Sequence, residues 1–401
     1  MRNNRGLLGR RSFLIGLGAG VTGLAVAVGA HQLQARQKKA TSKPEPTDTP
    51  VQVRDNFQVT GDAPLKERAA AKGLFFGAAS GFGQLSKDEA FATEFARESA
   101  VLVAESDMKW KNLRPDPETF NFKRLDWLYD FTQRQKMLFR GHPLIWHKSM
   151  PEWFEETVTE KNAEAVLTEH IQRVAGYYAG KVHSWDVVNE AIMPSQGRQD
   201  GLRKTPWLKF LGADYIDLAF RVAAETDPKA LLVYNENRLD YDTPEMEQRR
   251  TGLLKLLERL KSKGTPVQVL GVQGHLFPGE LPFKPEVLRK FLAEVAAMGL
   301  KIMITEMDAT DRNLPGDVVQ RDNMVATAYE DYLSAALDEP AVMGVMTWGL
   351  SDRYTWIAGF RPRDDGEPVR PLPLDKDLNR KRAWQAIARA FDSAPSRIPP
   401  S

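Results

Sequence analysis

The feature that most restricts this chain is a rhythm that begins near residue 65. Short apolar or β-branched runs alternate with longer segments whose apolar residues recur at helical spacing. The candidate strands are Leu74–Ser80, Ala100–Ser106, Met137–Trp146, Val182–Glu190, Leu231–Asn237, Val267–His275, Lys301–Asp308 and Gly344–Asp352. Between them lie helical patterns such as Lys87–Glu98, Phe122–Arg134, Asn162–Tyr178, Ala213–Glu225, Thr243–Lys263, Pro285–Met298 and Gln320–Leu337. Apolar runs separated by helices are the mark of parallel strands, because each crossover helix returns the chain to the same end of the sheet. Eight repeats predict an α/β chain whose residues 65–392 close into a single-domain (β/α)8 TIM barrel. The competing arrangement is an open doubly wound sheet, which usually carries a glycine-rich phosphate turn after its first strand. Gly77-Ala78-Ala79-Ser80-Gly81 does not have the spacing of that turn.

Ahead of the barrel the chain changes character. The formal net charge is +2, yet residues 1–44 hold eight basic residues and no acid, leaving 47 basic against 53 acidic in the rest, a net −6. Arg10-Arg11-Ser12-Phe13-Leu14 leads into Phe13–Ala30, which is uncharged and diluted by glycine. A twin arginine before a mild apolar run resembles a Tat-type export signal, so residues 1–30 are expected to be a signal peptide or, alternatively, an N-terminal membrane anchor. Export through such a signal implies a periplasmic or secreted domain, held at the membrane only where the leader stays attached. Residues 31–64 are polar and proline-containing and read as a linker, and 393–401 as a short tail.

There is no cysteine, which excludes a disulfide framework, thiolate metal sites and a Cys nucleophile. A near-balanced charge gives no reason to expect a nucleic-acid partner. No cofactor is called for.

In a barrel, chemistry collects at the C-terminal ends of the strands. Those ends carry Glu105 and Lys109, then His142, Trp146 and His147, then Asn189 and Glu190. Asn235 and Glu236, Gln273 and His275, Glu306 and Asp308, and finally Trp348 with Trp356 follow. A single Glu at a strand end is usually a solvated loop residue, but a polar or aromatic terminus on almost every strand is not explained by stability. Glu190 and Glu306 end strands that are apolar up to them, and the two strands stand nearly opposite in an eight-membered ring. Two facing carboxylates with flat aromatic side chains are what glycoside hydrolysis requires: one acid for the departing oxygen, one carboxylate for the oxocarbenium-like centre. Trp146, Trp348 and Trp356 offer faces for sugar rings, although each is also a reasonable core residue. His142, His147 and His275 with Glu306 or Asp308 offer a conceivable metal set, but no zinc-type spacing occurs, so no metal is expected.

These residues resemble a family. Gly141-His142-Pro143-Leu144-Ile145-Trp146-His147, Trp185-Asp186-Val187-Val188-Asn189-Glu190-Ala191, Gly271-Val272-Gln273-Gly274-His275-Leu276 and Ile304-Thr305-Glu306-Met307-Asp308 are similar to signatures of glycoside hydrolase family 10, chiefly endo-1,4-β-xylanases. The likeness runs from Gly73 to about Ala390. It implies a polysaccharide substrate, xylan or xylo-oligosaccharides, and a monomer acting with retention of configuration. In that scheme Glu190 is the acid/base and Glu306 the nucleophile, about 5–5.5 Å apart. By the same resemblance Asn189 meets the sugar 2-hydroxyl and His275 orients Glu306, with Asp308 behind it and His147 nearby. Glu105, Lys109, His142, Trp146 and Gln273 line the glycone side, and Trp348 and Trp356 close over it.

The motifs also depart from the family. Ser106 stands where Asn is usual, Trp146-His147-Lys148-Ser149 replaces Trp-His-Ser-Gln, and Asn235-Glu236-Asn237 replaces Asn-Asp-Tyr. These changes keep open a retaining glycosidase acting on another β-1,4-glycan, and the remoter alternative of an inactive glycan-binding barrel. Pro143 replaces the Thr of a His-Thr pair that is commonly cis, and proline lowers the cost of that isomer to about 0.5–1 kcal/mol, so a cis His142–Pro143 bond is expected.

Overall fold

The structure is a computed structural model that describes residues 53–397. The export signal or anchor expected at 1–30, residues 31–52 of the expected linker and the end of the tail lie outside the described residues. The strands are β1 (Phe75–Ser80), β2 (Val101–Ala104), β3 (Leu138–Gly141), β4 (Ser184–Asn189), β5 (Leu231–Glu236), β6 (Val269–Val272), β7 (His275–Leu276), β8 (Lys301–Ala309) and β9 (Val342–Thr347). All pair in parallel, and the ring closes where β9 meets β1 and where β6 meets β8. The two-residue β7 pairs only with the upper end of β8, so it prolongs the path of β6 and the barrel has eight staves. The (β/α)8 barrel predicted from the sequence is thus the fold observed. Most staves stop sooner than their apolar runs: β3 ends at Gly141, and the expected continuation to Trp146 is loop.

The helices start where local chemistry lets them. Asp88, Thr205, Thr243 and Asp317 each accept a backbone N–H with the side chain at the N-cap, and Pro206 and Pro244 follow two of these caps in the first turn. A capping oxygen satisfies one of the four N–H groups a helix leaves unpaired, and proline loses nothing there. A final helix, Arg382–Ser393, lies beyond the patterns named from sequence and buries Trp384, Ile387 and Phe391. Its seam with the start of the barrel is polar. The buried Glu98 carboxylate accepts from the Leu65 N–H and from Trp384 Nε1, both at 2.9 Å, and Arg380 donates to it twice. The polar stretch ahead of the first helix is laid against this scaffold: Phe57 is buried, and Arg54 pairs with Asp331 at 2.6 Å.

Strand alternation divides the apolar side chains into two cores. Val101 and Val103 of β2 belong inside the barrel with Ala79, Val233, Val269, Met303 and Met346. Their neighbours Leu102 and Ala104 join Leu232, Tyr234, Leu270, Ile302 and Ile304 in the larger core beneath the helices. The register shifts at three places, once on β9 between the pairings of Val342 and Gly344 and twice nearer the mouth of the barrel, on β4 and β8. On β4, Asp186 pairs with Val233 and Val188 with Tyr234, so Val187 is an extra residue, and Val187 and Val188 both lie in the outer core. On β8, Ile304 pairs with Val345 and Met307 with Thr347, so Thr305 and Glu306 share one inward step. A bulge is a means of re-aiming a side chain near a site. Here the two bulges sit just before Glu190 and at Glu306.

Close packing of the staves depends on glycine at Gly141, where a Cβ would lie 2.1 Å from the ring of Trp185. That indole is fully buried and tethered by its Nε1 to Asp227 at 3.0 Å, so it has nowhere to retreat. Gly141→Ala is expected to destabilise the fold by about 1–3 kcal/mol or more, read as a lower urea midpoint; an unchanged midpoint would refute this account of the contact.

Candidate active site

At the C-terminal ends of the staves lies a cavity of about 420 Å³. Its walls include Lys109, His142, Trp146, Asn189, Glu190, Gln273, His275, Glu306, Asp308, Trp348 and Trp356, which brings together most of the residues singled out from the sequence. Glu105 and His147 do not form part of this lining. Glu105 follows the end of β2 and accepts from Gln84 Nε2 at 3.2 Å, and burial raises its pKa. His147 stands beside the cavity with Nε2 4.0 Å from Glu190 Oε2. Among the described residues no cluster of three or more His, Asp or Glu side chains is disposed to hold a metal ion.

Glu306 is 5% exposed, so its carboxylate depends on protein donors instead of water. Asn235 Nδ2 donates to Oε1 at 2.7 Å, His275 Nε2 lies 3.5 Å from Oε2, and His142 Nδ1 lies 3.9 Å from Oε1. Burial pushes the carboxyl up, but His142, the hydrogen bond and charge of His275 and the Asn235 amide outweigh it and hold the group at about 2. A depressed carboxyl stabilises the fold above the ordinary range near 4.5, and that contribution is lost as pH falls towards 2. His275 is the counterpart. Burial opposes its charge, but Asp308, at 2.9 Å from Nδ1, and Glu306 raise its pKa well above the usual value. As an imidazolium it donates from both ring nitrogens, one to each carboxylate. Trp356 Nε1 donates to the other oxygen of Asp308 at 2.7 Å, so this indole and the imidazole share one anchor.

The two carboxylates are linked by amides. Gln273 Nε2 donates to Glu190 Oε1 at 3.3 Å and to Asn189 Oδ1 at 3.2 Å. Asn235 Nδ2 reaches the same Asn189 oxygen at 3.0 Å as well as Glu306. Asn235 is oriented in turn by Thr305 Oγ1, which donates to its Oδ1 at 2.7 Å. With Oδ1 of Asn189 accepting twice from the protein, its Nδ2 is left as a donor for whatever occupies the cavity.

Glu190 has a φ of 57°, left-handed and unfavourable for a side chain with a Cβ. The turn is held by neighbours on every side. Its N–H donates to the Asn235 carbonyl at 2.9 Å, and Arg203 Nε donates to its own carbonyl at 2.7 Å. The next two N–H groups go to Tyr234 Oη at 3.2 Å and Glu236 Oε2 at 3.0 Å. Glu236 is fully buried, and desolvation, only partly offset by Arg249, pushes its carboxyl up to about 7. Arg203, Glu236 and the hydrogen bond of Asn235 to Glu306 were not in the site read from the sequence. Asn235 and Glu236 did stand among the polar strand ends, so that signal was present; Arg203 lies in a loop and had none.

His142 is anchored from below. Its Nδ1 is 2.7 Å from Asp186 Oδ2, and Asp186 is also bound through both oxygens by the buried Arg140. Every peptide bond among the described residues is trans, His142–Pro143 included, so the expected cis bond is not present. The trans form is the more stable even before proline. The Asp186 contact and the Leu144 N–H, which donates to the Asp186 carbonyl at 2.8 Å, secure the loop without the cis turn. Above this layer Lys109 Nζ lies 5.3 Å from the Trp146 ring and 5.7 Å from the Trp348 ring. Burial lowers its pKa, with Glu306, Glu105 and Glu190 opposing.

The model of glycosyl hydrolase family 10 matches residues 64–390. The chain belongs to that family. It is a glycoside hydrolase, of the family its motifs resemble. It is 31% identical over 336 residues to endo-1,4-beta-xylanase B of Thermotoga neapolitana, covering 82% of this chain and 92% of that one. Identity to a beta-1,4-xylanase of Dictyoglomus thermophilum is 34% over 302 residues, covering 72% and 81%. Its fold matches the crystal structure of xylanase 10B from Thermotoga petrophila in complex with xylobiose. That match has a TM-score of 0.75 and 29% identity, and covers 84% of this chain and 99% of that one.

Two variants test how this family 10 site is held. A Cβ at Gly271 would lie 2.2 Å from Asn235 Oδ1, so Gly271→Ala must displace the amide that serves Glu306. We expect kcat to fall by about 10–100-fold, from the lost charge-assisted hydrogen bond, with far-UV circular dichroism unchanged; an unaltered kcat would show that Asn235 is not needed. His275→Ala removes a cation from Glu306, and the acid limb of kcat/KM should move up by about 1–3 pH units. A limb that stays in place would mean that His275 does not hold Glu306 ionised.

Proposed function

We propose that this chain is an exported endo-1,4-β-xylanase that cleaves internal β-1,4-xylosidic bonds with retention of configuration, acting as a monomer on xylan or xylo-oligosaccharides. One observation carries the reading: the two carboxyls joined by the Gln273–Asn189–Asn235 amides have unequal surroundings. Glu306 receives donors alone and is held ionised at about 2, as a nucleophile must be. Glu190, on its rigid turn at the wall of the same cavity with one amide contact from Gln273, is assigned the part of proton donor. The xylanase names of the relatives support the substrate, and the absence of cysteine and the Arg10-Arg11 motif support export in the folded state.

In the first step Glu306 forms a bond to the anomeric carbon while the bond to the leaving oxygen breaks, and Glu190 gives that oxygen its proton. The product is a glycosyl ester on Glu306 and a neutral released alcohol. Glu190, now a carboxylate, takes a proton from water as the water oxygen attacks the same carbon, and Glu306 departs as carboxylate. Two inversions leave the configuration unchanged. Asn189 Nδ2 is placed to donate to the 2-hydroxyl, where a hydrogen bond can strengthen as charge develops. Trp146, Trp348 and Trp356 supply flat faces for the rings. The changed subsites, with Ser106 and Ser149 in place of amides, favour as a second reading the same mechanism on another β-1,4-glycan.

Reducing-sugar release from xylan, cellulose and mannan separates the two readings, with xylan expected to be cut fastest. Glu306→Ala should lose about 10⁴-fold or more in kcat, and Glu190→Ala about 10²–10⁴-fold. Proton NMR of the first products should show the β-anomer; initial release of the α-anomer would overturn retention.

A further inference from the structure

A second cavity, of about 500 Å³, adjoins the first and shares Lys148, Glu190, Asn237 and Arg238 with it. Because it borders Glu190 and not Glu306, it lies on the side where the protonated leaving group departs. Its charge is unlike that of the domain, which is net acidic beyond residue 44. Lys148, Arg203, Arg238 and Arg249 line it against Glu190 and Glu245. Arg249 is buried and occupied by Glu236, Glu245 and the Ile192 carbonyl. Arg238 shares Glu245 at 3.0 Å in an exposed pair, the kind that exchanges readily for another anion. The outer nitrogen of Arg203 is 3.9 Å from Glu190 Oε2. Lys148 has no carboxylate within ion-pair distance among the described residues and rests 5.5 Å from the Trp146 ring. The neighbouring His147 reports the same field: burial, then Arg203 and Lys148, lower it to about 3. The sequence departs from the family pattern here, with a cation at Lys148 in place of a hydroxyl and an amide at Asn237 in place of an aromatic ring.

We propose that this leaving-group side is a carboxylate site: Lys148, Arg203 and Arg238 receive a uronic acid group borne by the glycan next to the scissile bond. The inference rests on the reading of Glu190 as proton donor and names the substrate class that reading leaves open. A guanidinium fork and a nearby ammonium complement a sugar carboxylate in geometry and charge. A neutral xylan chain would leave Lys148 without a counter-charge and gain nothing from Arg238 beyond its exposed pair with Glu245.

The test compares glucuronic-acid-substituted xylan with the same polymer after reduction of its carboxyls to alcohols, which removes charge and keeps shape. Wild-type kcat/KM should favour the acidic form by about tenfold at low salt, the size of one charge-assisted hydrogen bond, and 0.5 M NaCl should erase most of that ratio. The exposed-residue double variant Lys148→Ser, Arg238→Gln should bring the ratio close to one. Mass spectrometry should find uronate near the new non-reducing end, on the released fragment. Equal wild-type rates on the two polymers, a ratio that survives the double variant, or uronate confined to the fragment with the new reducing end would each overturn the proposal. Inactivity on both polymers would overturn the proposed function and this inference together, whereas equal activity on both removes only the inference.

Discussion

A carboxylate kept ionised where water scarcely reaches is the constraint around which the upper barrel is arranged. An isolated charge in such a place would protonate or pull the structure open. Glu306 does neither because polar partners converge on it from separate staves: the Asn235 amide from β5, His275 from β7 and, at 3.9 Å, His142 from the loop after β3. Each partner is itself held, by Thr305, Asp308 and Asp186 respectively. The polar layer is therefore one connected network, and its members are buried together because none is tolerable there alone.

Register delivers these groups to the cavity. In an unbroken strand alternate residues face inward, and Glu306 would take the opposite face from Thr305. The bulge on β8 sends both to Asn235, and the bulge on β4 brings Asn189 in and sets Glu190 on its left-handed turn. Strain at Glu190 is held in place by Tyr234, Glu236 and Arg203, which occupy the backbone groups of the turn. Rigid support of this kind holds the Glu190 carboxyl in one geometry at the cavity.

Environment, not residue type, assigns the roles of like side chains. His275 and His147 are both imidazoles near a carboxyl of the cavity, yet Asp308 and Glu306 make one a cation while burial, with Arg203 and Lys148 nearby, keeps the other neutral. The carboxyls divide similarly: Glu306 is depressed by its donors, and Glu236, buried with less compensation, is raised. The same unevenness gives the acidic domain a basic corner beside Glu190.

Much of the fold was legible in the residues because alternation and helical spacing are local properties, and eight repeats allow few ways to bury every apolar face. Glu190, Glu306 and the aromatic and amide residues of the cavity were legible for a related reason: polar groups at the ends of apolar strands stand out one by one. The extra residue at Val187 and the shared step of Thr305 and Glu306 were not, since a bulge is a relation between two strands and leaves no mark in either alone. Arg203 was hidden because its contact with the Glu190 carbonyl is made by a loop folding back. The trans bond before Pro143 was misjudged because the local cost of the isomer was weighed without Asp186, which secures His142 from another strand. The sequence by itself determined which groups meet at the mouth of a barrel. Tertiary structure decided their charges, because a pKa depends on burial and on partners brought from distant parts of the chain.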